Sequence, residues 1–428
     1  MRGIDIARGP AEMTAETRPP ADIDGIGHFV LRTGRLLLVY GASAEHVRRR
    51  VEEIAAGLGV GAELFINGER LLLSVSSSET YRTRIGRPIA GMGIDVGRFD
   101  ALEKIAAEVT AGRIDFAEAD RRIDALEQSA GLHPGWLVAL AVGGTAASLV
   151  RLFGGDWPVV AAAFATGVLN TAFRRYFAGR HAHPVVAAFA TAFLSGLAGA
   201  LMLRAVPDVS PIMCLVAAGM ILVPGVPLIN GVGDLAAGHT GVGLFRLVTA
   251  TVTVLAIGFA LILAAMAVGD PLPVEIASLS IPLWQDFAFA GLASVGYAML
   301  FNVPGRAVLA CVLCGGVSHG VRTILLGAGL DLALGTLVAA FVAGLLARLS
   351  GRWLAMPWTT FAFAGTVAMI PGSFAFRAAA GGLHIMAEGA RASPALVAET
   401  LSLVITTVFL TVSVGVGLVL SSLGRKQM

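Results

Sequence analysis

The chain changes character near residue 134. Before it, apolar positions recur at helical or alternating spacing among charged residues; after it, long apolar runs are cut only by Gly and Pro. In the first part, Ile26, Phe29, Val30, Leu36 and Leu37 predict an amphipathic helix over 23–40, ended by Gly41. Ser43 is placed to cap a second helix over 44–58, which buries Val47, Val51 and Ile54 and turns Arg48, Arg49 and Arg50 outward. Two short strands, 63–67 and 70–76, flank the turn Asn67-Gly68, and 81–88 reads as a third. Helices over 99–109 and 116–129 come next, the second capped by Asp115. The expected organisation is a tail over 1–22 without fixed structure, then a soluble cytoplasmic α+β domain over 23–133.

A membrane-crossing helix needs about 20 largely apolar residues. Counting such runs gives ten: 136–153, 157–176, 184–203, 211–229, 242–268, 282–301, 306–326, 330–349, 356–374 and 394–420. The expected fold is therefore an all-α polytopic membrane domain of about ten helices, in halves 134–270 and 281–428, carrying the soluble domain at its N-terminus. The fourth run ends in Val223-Pro224-Gly225 and the ninth in Ile370-Pro371-Gly372, 147 residues later. Each is succeeded by a Gly-rich connection and a long last helix. Two five-helix units with an odd number of crossings lie in opposite orientations, so the recurrence predicts an inverted repeat; chance is the competing reading, since Pro-Gly is a frequent helix terminator.

Composition agrees with a membrane location: of 428 residues, 56% are hydrophobic and 14% charged, against about 25% charged in soluble domains. With the N-terminus inside, the inner loops and tail carry Arg174, Arg175, Arg180, Arg306, Arg348, Arg352, Arg425 and Lys426. The outer connections carry Arg151, Arg204, Arg322, Arg377 and Arg391, with Asp156, Asp208, Asp270 and Glu275. That excess of positive charge inside places both termini in the cytoplasm. No basic stripe suggests nucleic acid, no Gly-rich phosphate loop, nucleophile elbow or metal-ligand spacing is present, and no cofactor is expected. Cys214, Cys311 and Cys314 lie in apolar runs and read as small core residues, despite the CxxC spacing of the last two. Arg82, Arg84 and Arg87 read as a solvated strand face, and 74–78 as a strand edge. Small residues at 196–200 permit close helix packing within one chain or between copies.

Proline and glycine should interrupt the fourth and ninth helices at Pro224, Gly225, Pro371 and Gly372, and Pro227 comes shortly after the first break; broken helices leave backbone groups free to bind a polar solute. Within the stretch 224–234, Asn230 and Asp234 are four residues apart and share a face if helical, and Arg246 follows at the start of the fifth run. A zwitterion needs an anion for its ammonium and a cation for its carboxylate, which Asp234 and Arg246 supply; the alternative is that they pair with each other as a clamp. Asn170, Asp286, Asn302, Ser318, His319, Arg322, Asp331, Arg377 and Glu399 are further polar groups at membrane depth or at helix ends. Among them His319, Glu399 and again Asp234 are candidates for coupling protons. With no nucleotide-binding loop, an ion gradient is the expected energy source.

Residues 41–54 (Gly-Ala-Ser-Ala-Glu-His-Val-Arg-Arg-Arg-Val-Glu-Glu-Ile), 223–235 (Val-Pro-Gly-Val-Pro-Leu-Ile-Asn-Gly-Val-Gly-Asp-Leu), Arg246 and 370–373 (Ile-Pro-Gly-Ser) together resemble the threonine/serine exporter (ThrE) family over about residues 25–422. The resemblance implies a bacterial inner-membrane secondary transporter, not an enzyme, that exports threonine and serine by antiport with protons. Its site positions would be Pro224, Gly225, Pro227, Asn230, Asp234, Pro371 and Gly372. A small-dicarboxylate exporter using Arg246, Arg322 and Arg377 is the alternative, and a membrane-anchored enzyme or sensor acting through 25–130 is a third. The expected partners are the small-molecule substrate, protons and the bilayer, with self-association permitted.

Overall fold

A computed structural model describes residues 22–421 apart from 69, 78–79, 90, 205, 207–211, 270–280 and 355. Residues 1–21 of the expected tail, Ser78, Asp208, Asp270, Glu275, Arg425 and Lys426 lie outside the described residues, while Asp22 belongs to the start of the first helix.

The polar third forms helices α1 (Ile23–Val39) and α2 (Ala44–Gly57), strands β1 (Gly61–Ile66), β2 (Leu71–Ser77) and β3 (Thr80–Ile85), and helices α3 (Val96–Thr110) and α4 (Phe116–Gln128). The strands make one antiparallel sheet in the order β1-β2-β3. Alternation decides which face is buried: Leu71, Leu73 and Val75 point inward, into a core shared with Ile26, Phe29, Val30, Leu37, Val51 and Leu102. Four helix starts are capped by side chains, with Asp22 accepting from the Gly25 amide, Ser43 from His46, Asp95 from Arg98 and Asp115 from Glu118. Arg32 on α1 holds α4 through Asp120 (2.9 Å), Asp124 and Glu127 (2.7 Å). Of the strand arginines, Arg84 pairs with Asp24 at 2.6 Å, while Arg82 and Arg87 are exposed.

The apolar remainder is helical: α5 (Gly135–Leu152), α6 (Trp157–Gly179), α7 (Pro184–Arg204), α8 (Ile212–Met220), α9 (Gly225–Ala236), α10 (Thr240–Val268), α11 (Leu283–Leu300), α12 (Gly305–Gly327), α13 (Leu332–Leu354), α14 (Trp358–Thr366), α15 (Gly372–Glu388) and α16 (Pro394–Leu420). Six of these (α5, α7, α10, α12, α13, α16) are long and apolar enough to cross a membrane, and α14 with α15 makes a seventh candidate bent by 47°. Of the ten expected crossings, length and composition thus support six among the described residues, or seven if the bent pair is a single span. Two connections differ from expectation: the Gly-rich stretches after each Pro-Gly fold as α9 and α15, so Arg377 lies within α15 rather than in a loop. Arg322 likewise sits inside α12. Gly and Pro count against a helix in isolation, but the packed bundle outweighs their cost of about 1 kcal/mol for Gly.

The outer faces of α10 (Leu244, Val248, Val252, Leu255) and α16 (Leu401, Val404, Val408, Phe409) stay exposed, as a lipid-facing surface requires. Inside, small residues let backbones meet: a Cβ on Gly167 of α6 would lie 2.8 Å from the Gly143 Cα of α5. Gly196 and Gly199 on α7 pack within the chain, against Leu215 and Cys214 of α8. Cys214, Cys311 and Cys314 are buried free thiols. Neighbouring helices come in matched pairs. Helices α5–α6, α6–α7, α7–α8, α7–α10 and α9–α10 pack as α11–α12, α12–α13, α13–α14, α13–α16 and α15–α16 do, and α5 packs on α11. The two sets also cross over, with α9 on α16 and α15 on α10.

Candidate functional site

The two Pro-Gly breaks meet. At the first, Pro224 (φ −75°, ψ 63°) forms a three-residue turn in which the Gly225 amide donates to the Val223 carbonyl at 2.7 Å; at the second, Pro371 (φ −77°, ψ 42°) does the same between Gly372 and Ile370 at 2.8 Å. A side chain on Gly225 would run into Ile370, and one on Gly372 would lie 2.7 Å from Val223 Cγ2. Each glycine therefore accepts the aliphatic residue of the opposite break. Between them lies a cavity of about 10 Å³, lined by Leu149, Met220, Val223, Tyr297, Val367, Ile370 and Gly372, with room for little more than one water. The Tyr297 hydroxyl donates to the Met220 carbonyl at 3.3 Å. Pro227 is half-buried in the first turn of α9, where a missing amide hydrogen costs nothing.

One and two turns along α9, Asn230 and Asp234 face residues 41–44 at the junction of α1 and α2, on one side of the helix as their four-residue spacing requires. The Asp234 carboxylate accepts the Ala44 amide, the first of α2, at 2.9 Å and lies 3.1 Å from the Arg246 guanidinium of α10. Arg246 donates to the Ala42 carbonyl at 2.8 Å and Asn230 to the Gly41 carbonyl at 3.1 Å. Asp234 and Arg246 side chains are 0% and 2% exposed, so this is a fully desolvated ion pair. Beside it, Glu45 meets His239 at 2.9 Å. Burial pushes the Glu45 carboxyl up, but hydrogen bonds from His239 and Arg48 outweigh it and hold it below its ordinary value.

A second junction ties the polar N-terminal part to the turn between α11 and α12. Asn302 there has φ 58°, a left-handed backbone that Asn tolerates better than most residues. Its side chain donates to Asp95 (2.8 Å) and accepts from the Leu132 amide (2.6 Å), while Gly97 donates to its carbonyl (3.1 Å). Deeper in the bundle, His319 Nδ1 on α12 lies 2.8 Å from the Asp286 carboxylate on α11, both nearly sealed from solvent. Arg322 is one turn further along α12, and its Nε is buried without a hydrogen-bond acceptor among the described residues.

The chain matches two family models, "Putative threonine/serine exporter" (ThrE) over residues 28–269 and "Threonine/Serine exporter, ThrE" over residues 286–423. The chain belongs to the threonine/serine exporter family. It is accordingly a multi-pass membrane protein of the transporter class, with both family modules in one polypeptide. No solved structure matches it.

Within this ThrE chain, the candidate residues of the sequence fall into three places rather than one. Pro224, Gly225, Pro371 and Gly372 form the central contact; Asn230, Asp234 and Arg246 join α9 and α10 to residues 41–44; His319 sits with Asp286. Glu399 is half-buried early in α16, and no described hydrogen bond or ion pair joins it to the others. Sequence reasoning placed Asp286 and Asn302 only among general polar groups and missed Tyr297. It also missed the loop 41–44, whose contribution is made by backbone atoms with no side-chain signature.

Proposed function

We propose that the chain exports threonine, serine or similar small hydrophilic amino acids from the cytoplasm, driven by protons moving inward. The observation that carries this reading is the reciprocal seating of the two breaks, Gly225 against Ile370 and Gly372 against Val223. A twofold relation between halves produces such an exchange, and the matched helix pairs agree with it. The ten crossings are then the six long helices, α6, α11, and the broken pairs α8–α9 and α14–α15. The halves are 134–270 and 281–428 in opposite orientations, with the domain 23–133 and both termini cytoplasmic. The closed cavity is the pinched middle of a pathway, and rocking one half on the other opens it to alternate sides.

Threonine presents an ammonium and a carboxylate, and the cytoplasmic entrance offers an Asp234 carboxylate, an Arg246 guanidinium and the Asn230 amide to receive them. The breaks at Pro224, Gly225, Pro227, Pro371 and Gly372 come next along the path, where the Gly225 and Gly372 amides, held in the two turns, become available to the solute as the halves part. Coupling rests on His319, whose imidazole against the Asp286 carboxylate is a buried proton-accepting pair, with Arg322 within one turn to change its balance; Asp234 and Glu399 are the other ionisable candidates. The test is uptake of labelled threonine by proteoliposomes under an imposed pH gradient. The reading expects accumulation that collapses with a protonophore, and a His319→Gln variant that exchanges threonine across the membrane but no longer responds to the gradient. Vesicles indifferent to threonine and serine would contradict it. The unpaired Arg322 Nε favours one second reading, export of a small dicarboxylate. Succinate accumulation that threonine does not compete with would establish that alternative.

A further inference from the structure

The segment that seals Asp234, Arg246 and Asn230 is a stretch of main chain. From the loop 41–44 they receive one N–H donor, on Ala44, and two carbonyl acceptors, on Ala42 and Gly41. The donor meets the carboxylate and the acceptors meet the guanidinium and the amide. A free α-amino acid offers the same pattern within the same few atoms, an ammonium for Asp234 and a carboxylate for Arg246 and Asn230, and each of its groups carries a full charge where the loop has only a dipole. We propose that the loop 41–44 is a tethered pseudo-substrate: it holds the cytoplasmic entrance shut by occupying the amino-acid subsite, and the α-amino acid to be exported opens the entrance by displacing it. The inference rests on the proposed export reading and adds to it the ligand class of the subsite, a zwitterion recognised at both its charged ends, and a regulatory role for the soluble domain.

Two further features fit such an exchange. The soluble domain is anchored independently at Asn302, through Asp95, Gly97 and Leu132, so the loop can leave without the domain detaching. There is also open space next to His239, whose contact with Glu45 flanks the loop: a cavity of about 710 Å³ lies between the β1–β2 turn (Phe65, Asn67, Gly68) and the start of α10 (His239, Thr240, Phe245).

The experiment uses full-length protein in proteoliposomes. Glu45 and His239, in contact across the junction, are replaced by cysteines in a background lacking the three native thiols, and the rate of bridging by a short bismaleimide is followed. L-Threonine is expected to slow bridging, while 3-hydroxybutyrate, without the ammonium, and threoninol, without the carboxylate, leave it unchanged. An unchanged rate in vesicles that accumulate threonine overturns the pseudo-substrate and leaves the export reading standing; an unchanged rate in vesicles that accumulate neither threonine nor serine overturns both. Equal slowing by all three compounds also overturns it, because the subsite would then not read both charges.

A second variant separates competition from a merely structural clamp. Ala44→Pro removes the amide hydrogen given to Asp234 and sets a ring methylene against the carboxylate in its place, so the loop loses its bond and is pushed off the subsite. Ala44 is the first residue of α2, where proline is accepted, and Ser43 before it is already extended (ψ 156°), as a residue preceding proline must be. A competing loop weakened by one hydrogen bond to a charged group should lower the threonine concentration for half-maximal export about tenfold. A raised or unchanged half-saturating concentration overturns the proposal.

Discussion

The Asp234–Arg246 pair offers a quantitative test of how the polar N-terminal part is held against α9 and α10. The two charges lie 3.1 Å apart with 0% and 2% of their side chains exposed. Neutralising one partner leaves the other buried and uncompensated, which costs about 3–5 kcal/mol. Neutralising both removes the desolvation penalty along with the attraction and is close to neutral. Asp234→Asn keeps an oxygen for the Ala44 amide while deleting the charge, and Arg246→Met keeps most of the aliphatic stem. If the cost falls on the docked state, about 3 kcal/mol shifts the docked–undocked equilibrium more than a hundredfold. The Ala44 amide reports that equilibrium, because it is protected only while it donates to residue 234. Hydrogen exchange of the peptide containing residues 41–45 should therefore accelerate by about two orders of magnitude in each single variant. In the double variant it should return most of the way to the parent rate. Single variants that change exchange less than threefold, or a double variant as fast as the product of the singles, would refute the buried-pair reasoning.

Two other outcomes rest on named contacts. In Gly372→Val the new Cβ would lie 2.7 Å from Val223 Cγ2 and 3.8 Å from Met220 Cα; overpacking of about 1–3 kcal/mol should cut threonine flux about tenfold or more while the protein still reaches the membrane, and flux at the parent rate would show that the breaks need not fit together. Glu103, which joins α3 to α2 through Arg50 (2.6 Å) and His46 (3.2 Å), is pushed up by burial but held lower overall by these partners, below its ordinary 4.5. A depressed native carboxylate stabilises the domain above that ordinary value and loses the contribution as pH falls through its own lower one, so the urea midpoint of 23–133 within the whole chain should fall on acidification below about pH 4.5 and fall less in Glu103→Gln; equal acid sensitivity in both would remove Glu103 from the account.

Much of this architecture is legible because it rests on local periodicity. The spacing of Ile26, Phe29, Val30 and Leu37 marks α1, Ser43 and Asp115 announce the helices they cap, and Leu71, Leu73 and Val75 alternate as a half-buried strand does. The Pro-Gly pairs also mark the breaks they make. The segments just beyond each break are less legible. Gly231, Gly233, Gly381 and Gly382 suggest a loop by intrinsic preference, yet α9 and α15 form there because the helices packed on them supply what propensity lacks. The site is legible only by halves. Asn230 and Asp234 share a face by spacing alone, but the Ala44 amide that Asp234 accepts is 190 residues away and belongs to the backbone. Asp286 and His319 are 33 residues apart on different helices, and no pattern in either helix announces the contact. Long-range partners of this kind are set by tertiary packing, which residue spacing does not encode.

The central claim is that the solute passes between the two breaks, and a reversible bridge across them tests it most directly. Val223 and Ile370 line the same small cavity from opposite halves. With cysteines at both positions and the native thiols replaced, a short bis-methanethiosulfonate should stop threonine counterflow in proteoliposomes, and reduction should restore it, while either single cysteine is unaffected by the reagent. Counterflow that continues at the unbridged rate with the two positions linked would mean that the pathway lies elsewhere.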